Sequence, residues 1–188
     1  VQLDEAVRLH EQGKLNAARA LYVSILTDDP KNYAALHFYG LSDMQMGNLE
    51  TAISRISGAL EIRPRYPAAL NNLGLALQAA GRTAEAVVAF GKAIRFRADF
   101  ADAYHNLGNA LRDLSEDDDA AANYQTALRH RPDFPEVHYA LGNLYREKGR
   151  LDEAIGAYSR AVMSRPRFLE ALINLGTSEM LGNQLTDS

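Results

Sequence analysis

The chain has 188 residues and a formal net charge of −4, with 47 % hydrophobic and 23 % charged residues. This balance is typical of a globular protein, and the negative charge disfavours non-specific binding of nucleic acid, which needs a basic face. No apolar run approaches the about 18 residues of a membrane span, so we expect neither a nucleic-acid nor a membrane partner. Cysteine is absent, which excludes thiolate chemistry and favours a reducing, cytoplasmic setting.

Small residues recur along the chain with a period of 34 residues. The glycine column consists of Gly40, Gly74, Gly108, Gly142 and Gly176. The alanine column consists of Ala18, Ala52, Ala86, Ala120 and Ala154. The proline column consists of Pro30, Pro64, Pro132 and Pro166, with Ala98 at the position between Pro64 and Pro132. Coincident columns of this kind indicate a repeat protein, in which each unit packs against its neighbours.

Each period predicts two helices in chain order. The first contains the column glycine and ends near a second glycine in mid-unit, because glycine commonly terminates helices. The second helix contains the column alanine and ends before the proline, which cannot continue a helix. The predicted units are 1–32 (partial), 33–66, 67–100, 101–134, 135–168 and 169–188, the last supplying only a first helix. We therefore expect residues 1–188 to form one all-α array.

The order of the columns resembles that of the tetratricopeptide repeat family. The family pattern of Leu-Gly, Ala, an aromatic, Ala and Pro appears here as Leu141-Gly142, Ala154, Tyr158, Ala161 and Pro166. The resemblance implies a right-handed α-solenoid of helix-turn-helix units. It also implies a scaffold that binds a protein or an extended peptide along a concave groove lined by the first helix of each unit.

The exposed places that the family has on its first helices hold mainly polar side chains in this sequence. The candidate peptide-binding residues are Asn71, Asn72, His105, Asn106, Asn109, Arg112, Tyr139, Asn143, Arg146 and Asn174. Because a carboxamide both donates and accepts hydrogen bonds, a row of asparagines could hold the backbone of an extended peptide. The alternative interpretation is that these asparagines are solvated or bridge neighbouring helices.

Two further hypotheses follow from particular segments. The repeats NNLGLAL (71–77) and HNLGNALRD (105–113) resemble the array that precedes the catalytic region of O-GlcNAc transferase and its bacterial relatives. This resemblance implies docking of protein substrates for a glycosyltransferase domain elsewhere in the chain. Residues 169–181 contain more apolar side chains than one neighbouring unit can cover, which favours self-association through this edge or its coverage by further repeats.

The sequence predicts no catalytic, metal-binding or cofactor-binding residue. His37 and His105 share a place in their units but lie two units apart, too far to share a metal ion. The acidic run that begins at Ser115 lacks the glycine and the terminal glutamate of a calcium loop. We expect Ser115 instead to cap the second helix of its unit. We therefore predict a non-catalytic protein without a cofactor.

Overall fold

The structure is a computed structural model that describes the backbone of residues 2–186 and the side chains of residues 2–182. The described residues form eleven α-helices and no β-strand. In chain order the helices are α1 (Gln2–Glu11), α2 (Leu15–Asp28), α3 (Tyr33–Gln45), α4 (Leu49–Ile62), α5 (Pro67–Ala79), α6 (Thr83–Phe96), α7 (Ala101–Asp113), α8 (Asp117–His130), α9 (Pro135–Glu147), α10 (Leu151–Ser164) and α11 (Leu169–Thr186). They divide into two compact units, Val1–Ala98 and Asp99–Ser188.

Within each unit, helices that are consecutive in the chain pack as pairs joined by short turns. The pairs are α1 with α2, α3 with α4 and α5 with α6 in the first unit, and α7 with α8 and α9 with α10 in the second, where α11 packs on α10. Four of the turns contain a glycine with φ between 71° and 78°, a conformation that only glycine adopts without strain. These glycines are Gly13, Gly47, Gly81 and Gly149.

The turn between α7 and α8 has Ser115 where the other turns have glycine. Ser115 has a φ of 64°, in the left-handed region, which costs an L-residue about 1–2 kcal/mol. The N-cap of α8 is Glu116, whose side chain makes no capping hydrogen bond. The prediction that Ser115 caps this helix is therefore wrong, because Ser115 adopts the backbone conformation of the glycine that it replaces.

The column glycines mark places where two helices of a repeat approach closely. A methyl group on Gly142 of α9 would lie 2.5 Å from Cε1 of Tyr158 on α10. The equivalent pairs are Gly40 with Ile56, Gly74 with Phe90 and Gly108 with Tyr124. The four partner side chains are fully buried. The low helix propensity of glycine is thus offset by the packing of a large side chain against the helix backbone.

A buried carboxylate joins three helices of the first unit. Asp43 on α3 is 1 % exposed and forms ion pairs with Arg19 of α2 and Arg55 of α4. Arg19 donates to Oδ1 of Asp43 at 2.6 Å, and Arg55 pairs with the other carboxylate oxygen. Both guanidinium groups lie over the ring of Tyr39, with their carbons 4.8 Å and 3.7 Å from its centroid. This charged cluster links the first repeat to the second.

The junction after α6 lacks the proline of its equivalents, and we expect Ala98→Pro to stabilise the protein. Arg97, which precedes Ala98, has φ −144° and ψ 93°, close to the φ −130° and ψ 82° of Arg63 before Pro64. Proline should therefore fit, and it raises the free energy of unfolding by about 0.4–1 kcal/mol because it restricts the unfolded chain. Calorimetry would detect a higher Tm, whereas a lower Tm would show that this junction differs from the others.

Candidate functional site

Asn109 of α7 and Asn143 of α9 occupy the same place in consecutive repeats of the second unit. The side-chain oxygen of Asn109 accepts a hydrogen bond from the Tyr124 hydroxyl at 2.6 Å, and that of Asn143 accepts one from Tyr158 at 2.8 Å. Both tyrosines are fully buried. A buried hydroxyl without a partner would cost about 1–3 kcal/mol. These two asparagines therefore bridge the helices of a repeat, as the alternative interpretation of the sequence proposes.

The equivalent places in the two complete repeats of the first unit contain leucine, and their partners have no hydroxyl group. The pairs there are Leu41 with Ile56 and Leu75 with Phe90. In the partial first repeat, the hydroxyl of Tyr22 lies 3.3 Å from Nδ1 of His10 instead. In the four complete repeats, asparagine thus occurs at this place only where tyrosine follows 15 residues later. That spacing is the sequence signal that could have indicated the structural role.

A cluster of polar side chains joins α9 to α11. Nδ2 of Asn174 donates to Oδ1 of Asn143 at 3.0 Å and to the hydroxyl of Tyr139 at 3.3 Å. The Tyr139 ring packs on Phe168 with centroids 5.0 Å apart. Asn143, Asn174 and Tyr139 are all half-buried. Oδ1 of Asn143 accepts both hydrogen bonds that this side chain makes, one from Tyr158 and one from Asn174. Among the groups that the structure describes, none accepts a hydrogen bond from Nδ2 of Asn143.

Four further candidates of the second unit lie on α7 and α9. Nε2 of His105 lies 3.2 Å from Nδ2 of Asn109, and burial lowers the pKa of His105. Arg112 of α7 forms an ion pair with Glu147 of α9. Arg146 is half-buried, as is Asn106. The ion pair and the α9–α11 cluster show that the first helices of successive repeats lie side by side in this unit.

In the first unit, Asn72 of α5 bridges to the preceding repeat. Its Nδ2 donates to Nε2 of His37 at 2.9 Å, so the ring carries its hydrogen on Nδ1 and donates to the hydroxyl of Tyr66 at 3.1 Å. His37 is 2 % exposed, and burial lowers its pKa to about 4. A neutral imidazole therefore connects α3 to α5 at neutral pH.

Asn71 differs from the sequence expectation. It is only 7 % exposed, and its Nδ2 lies 3.5 Å from Oδ1 of Asn72. It shares its place in the repeat with His37, which is also buried. The side chain of Asn71 is therefore buried in the structure, and contact with a ligand stays a prediction for this residue.

We expect the free energy of unfolding to decrease as the pH falls from about 6.5 to 4. The pKa of His37 lies at about 4 in the folded protein, below its ordinary value of 6.5, because of burial. Between these values the unfolded chain binds the proton and the folded chain does not, so acid favours unfolding. The loss reaches about 3 kcal/mol once the pH is below the folded pKa.

Urea denaturation at several pH values would measure this effect. His37→Gln keeps a side chain that can accept from Asn72 and donate to Tyr66, but it does not titrate. We expect the variant to lose less stability than the wild type over the same pH range. Burial also lowers the pKa of His105 and His138, so part of the dependence remains. Identical pH profiles for the two proteins would contradict the role of His37.

The described residues contain no group of three or more His, Asp and Glu side chains that could hold a metal ion. No helix within the described part of the chain is both long and apolar enough to cross a membrane.

Three family models match the chain, two of them over overlapping segments, and the description of each is that of the tetratricopeptide repeat. They match residues 9–69, 79–114 and 105–167. Among curated proteins, none matches this sequence.

Several solved structures are similar to this one over most of their length. The crystal structure of MamA is 25 % identical, with a TM-score of 0.77 over 88 % of this chain and 96 % of that chain. TTC0263, a thermophilic TPR protein from Thermus thermophilus, is 26 % identical, with a TM-score of 0.76 over 95 % and 97 %. YrrB, described as a TPR protein with an unusual peptide-binding site, is 19 % identical, with a TM-score of 0.73 over 91 % and 88 %. These likenesses confirm the all-α fold class predicted from the repeat period.

Proposed function

Since this chain is an array of tetratricopeptide repeats, we propose that it is a scaffold that binds an extended segment of a partner protein. The binding surface that we assign is formed by the first helices of the second unit, α7, α9 and α11. The observation that carries this proposal is the orientation of Asn143. Tyr158 and Asn174 both donate to its oxygen, so its Nδ2 group is held in place and remains available as a donor.

An asparagine can bridge two helices and also bind a peptide, because the oxygen of its carboxamide accepts hydrogen bonds and the nitrogen donates them. The oxygen of Asn143 satisfies a buried tyrosine, while its two N–H groups can donate to the carbonyl oxygens that recur along an extended peptide. Holding a donor in place before binding reduces the entropy lost on association. Tyr139, half-buried beside this amide, offers a ring surface on which a peptide side chain could pack.

The fold is compatible with this function, since YrrB, which shares it, is described as having a peptide-binding site. The fold of this chain is also consistent with a non-catalytic scaffold. The role as a docking region of a glycosyltransferase rests on the resemblance of the repeats alone, and none of the matches described above names such an enzyme. That role and the cytoplasmic setting stay predictions from the sequence.

A double substitution separates binding from packing, because the chain itself supplies a matched replacement. Asn143→Leu alone should lower the free energy of unfolding by about 1–3 kcal/mol, since it leaves the Tyr158 hydroxyl without an acceptor. Adding Tyr158→Phe should restore most of this loss, because Leu75 and Phe90 form the same pair in the first unit. The double variant thus keeps the fold and removes the amide.

The probe is a peptide selected from a phage-displayed library on the wild-type protein, with its affinity measured by fluorescence polarisation. We expect the double variant to bind it about 2- to 10-fold more weakly, as for the loss of one hydrogen bond. Asn123→Ala, on the second helix α8, is the control and should leave the affinity unchanged. Equal affinity for the double variant and the wild type would show that Asn143 serves only the scaffold.

A further inference from the structure

Helix α11 has an apolar stripe on the side opposite to its packed face. Leu169, Ile173 and Met180 are 66 %, 67 % and 65 % exposed, and their spacing of four and seven residues places them on one side of the helix. Ala171 and Ser178, on the opposite side, are fully buried. The stripe is therefore a continuous apolar surface on a helix whose other face is already packed in the second unit.

The middle and the edges of this stripe favour contact with another protein surface. Gly176 lies in the middle, and a methyl group built there would meet no atom within 4 Å. This small residue would allow a close approach by a bulky side chain. Glu170 and Glu179 are exposed and lie on either side of the stripe. The surface thus combines an apolar centre with acidic margins.

The first unit has an apolar groove of about 590 Å³ between its second helices α4 and α6. Leu70, Leu73 and Leu77 of α5 form its floor. Val88 and Phe96 of α6 line one wall and are 56 % and 40 % exposed. At the place of Val88, the other complete repeats have smaller side chains, namely Ser54, Ala122 and Gly156. An equivalent groove of about 640 Å³ lies between α8 and α10 in the second unit, where Gly156 stands at the place of Val88. Val88 therefore distinguishes the α4–α6 groove from this one.

The α6 side of this groove is basic. Lys92 and Arg95 lie along it, and the nearby Glu85 is neutralised by an ion pair with Arg82. Glu61 of α4 lies on the other side of the groove. One acidic margin of the α11 stripe is therefore complementary in charge to the α6 side. The apolar stripe and the apolar groove occur on different units of one chain, and neither includes residues of both units.

We propose that α11 of one copy docks into the α4–α6 groove of a second copy. The stripe of Leu169, Ile173 and Met180 would lie on the floor of the groove, with Glu170 or Glu179 beside Lys92 and Arg95. Because the two surfaces differ, the contact is heterologous. A pair of copies therefore has a free groove at one end and a free α11 stripe at the other. The assembly grows head to tail into a ring or a filament. This inference does not rest on the peptide-binding proposal, although both surfaces include α11. The stripe is the exposed side of the helix, whereas Asn174 of the peptide-binding surface is half-buried.

A complementation experiment tests this geometry by analytical ultracentrifugation. Ile173→Glu disables the stripe but keeps the groove, and Val88→Glu disables the groove but keeps the stripe. Both side chains are exposed, so thermal unfolding should match that of the wild type. We expect the wild type to self-associate as its concentration rises and each variant alone to remain monomeric. An equimolar mixture of the two variants should form a heterodimer and nothing larger.

Two outcomes overturn the proposal. The first is a wild-type protein that stays monomeric at the highest concentration reached. The second is a Val88→Glu variant that still dimerises while the mixture forms no heterodimer, which would indicate a symmetric α11–α11 contact. If Ile173→Glu fails to fold, Met180→Glu replaces it, and if Val88→Glu fails to fold, Lys92→Glu replaces it. The expected results are the same.

Discussion

Replacing Asp43 with alanine is expected to lower the free energy of unfolding by about 3 kcal/mol, because removing one partner of a buried ion pair leaves uncompensated charge. Arg19 and Arg55 would then face each other over Tyr39 without the carboxylate between them. Burial lowers the pKa of Arg55 even in the wild type, and the charge of Arg19 lowers it further. Urea denaturation monitored by circular dichroism would measure the loss.

The matched control is Asp102→Ala, which removes a partly exposed ion pair with Arg131 in which both side chains are 44 % exposed. Exposed pairs contribute about 1 kcal/mol or less, so the control should lose far less stability. Similar losses for Asp43 and Asp102 would contradict the view that burial makes the cluster important.

Gly142→Ala is expected to lower the free energy of unfolding by about 1–3 kcal/mol, in spite of the better helix propensity of alanine. The added methyl group would lie 2.5 Å from the Tyr158 ring, which is fully buried and held by its hydrogen bond to Asn143. The ring cannot move aside without breaking that bond.

Gly176→Ala at the equivalent place of α11 is the control. No atom lies within 4 Å of the added methyl group, so this variant should be as stable as the wild type or more stable, by up to about 1 kcal/mol. Thermal unfolding of both variants would separate the two effects. A loss of equal size at both positions would show that helix-end or backbone effects, and not the ring contact, account for the glycine column.

The repeat period was sufficient to predict the helices and their breaks, because a column of identical small residues reflects a packing contact that every repeat shares. Gly142 and its equivalents in the complete repeats are buried against a ring or branched side chain for this reason. Ser115 shows the limit of this reasoning. Serine is a common helix cap, but the turn imposes the left-handed conformation on Ser115. The position in the repeat, and not the residue type, thus determines the backbone conformation there.

The partners of individual polar side chains were harder to predict, since they depend on contacts between repeats. The place of Asn143 in the repeat predicts that it lies on the first-helix face, but not that its oxygen is taken by Tyr158 and Asn174. Asp43 occupies the place that Tyr145 has in a later repeat, and its partners Arg19 and Arg55 lie on two other helices. Sequence distance alone does not connect these three residues.

The most direct test of peptide binding follows the side-chain amide signals of asparagine by nuclear magnetic resonance, which suits a chain of 20.7 kDa. The library-selected peptide is titrated into the labelled protein, and the Asn143 signal is assigned by its loss in the Asn143→Leu/Tyr158→Phe variant. We predict that the side-chain amide of Asn143 shifts with the peptide concentration while that of Asn123 on α8 does not. An unchanged Asn143 signal at saturation, with shifts only on second helices, would contradict binding to the face formed by α7, α9 and α11.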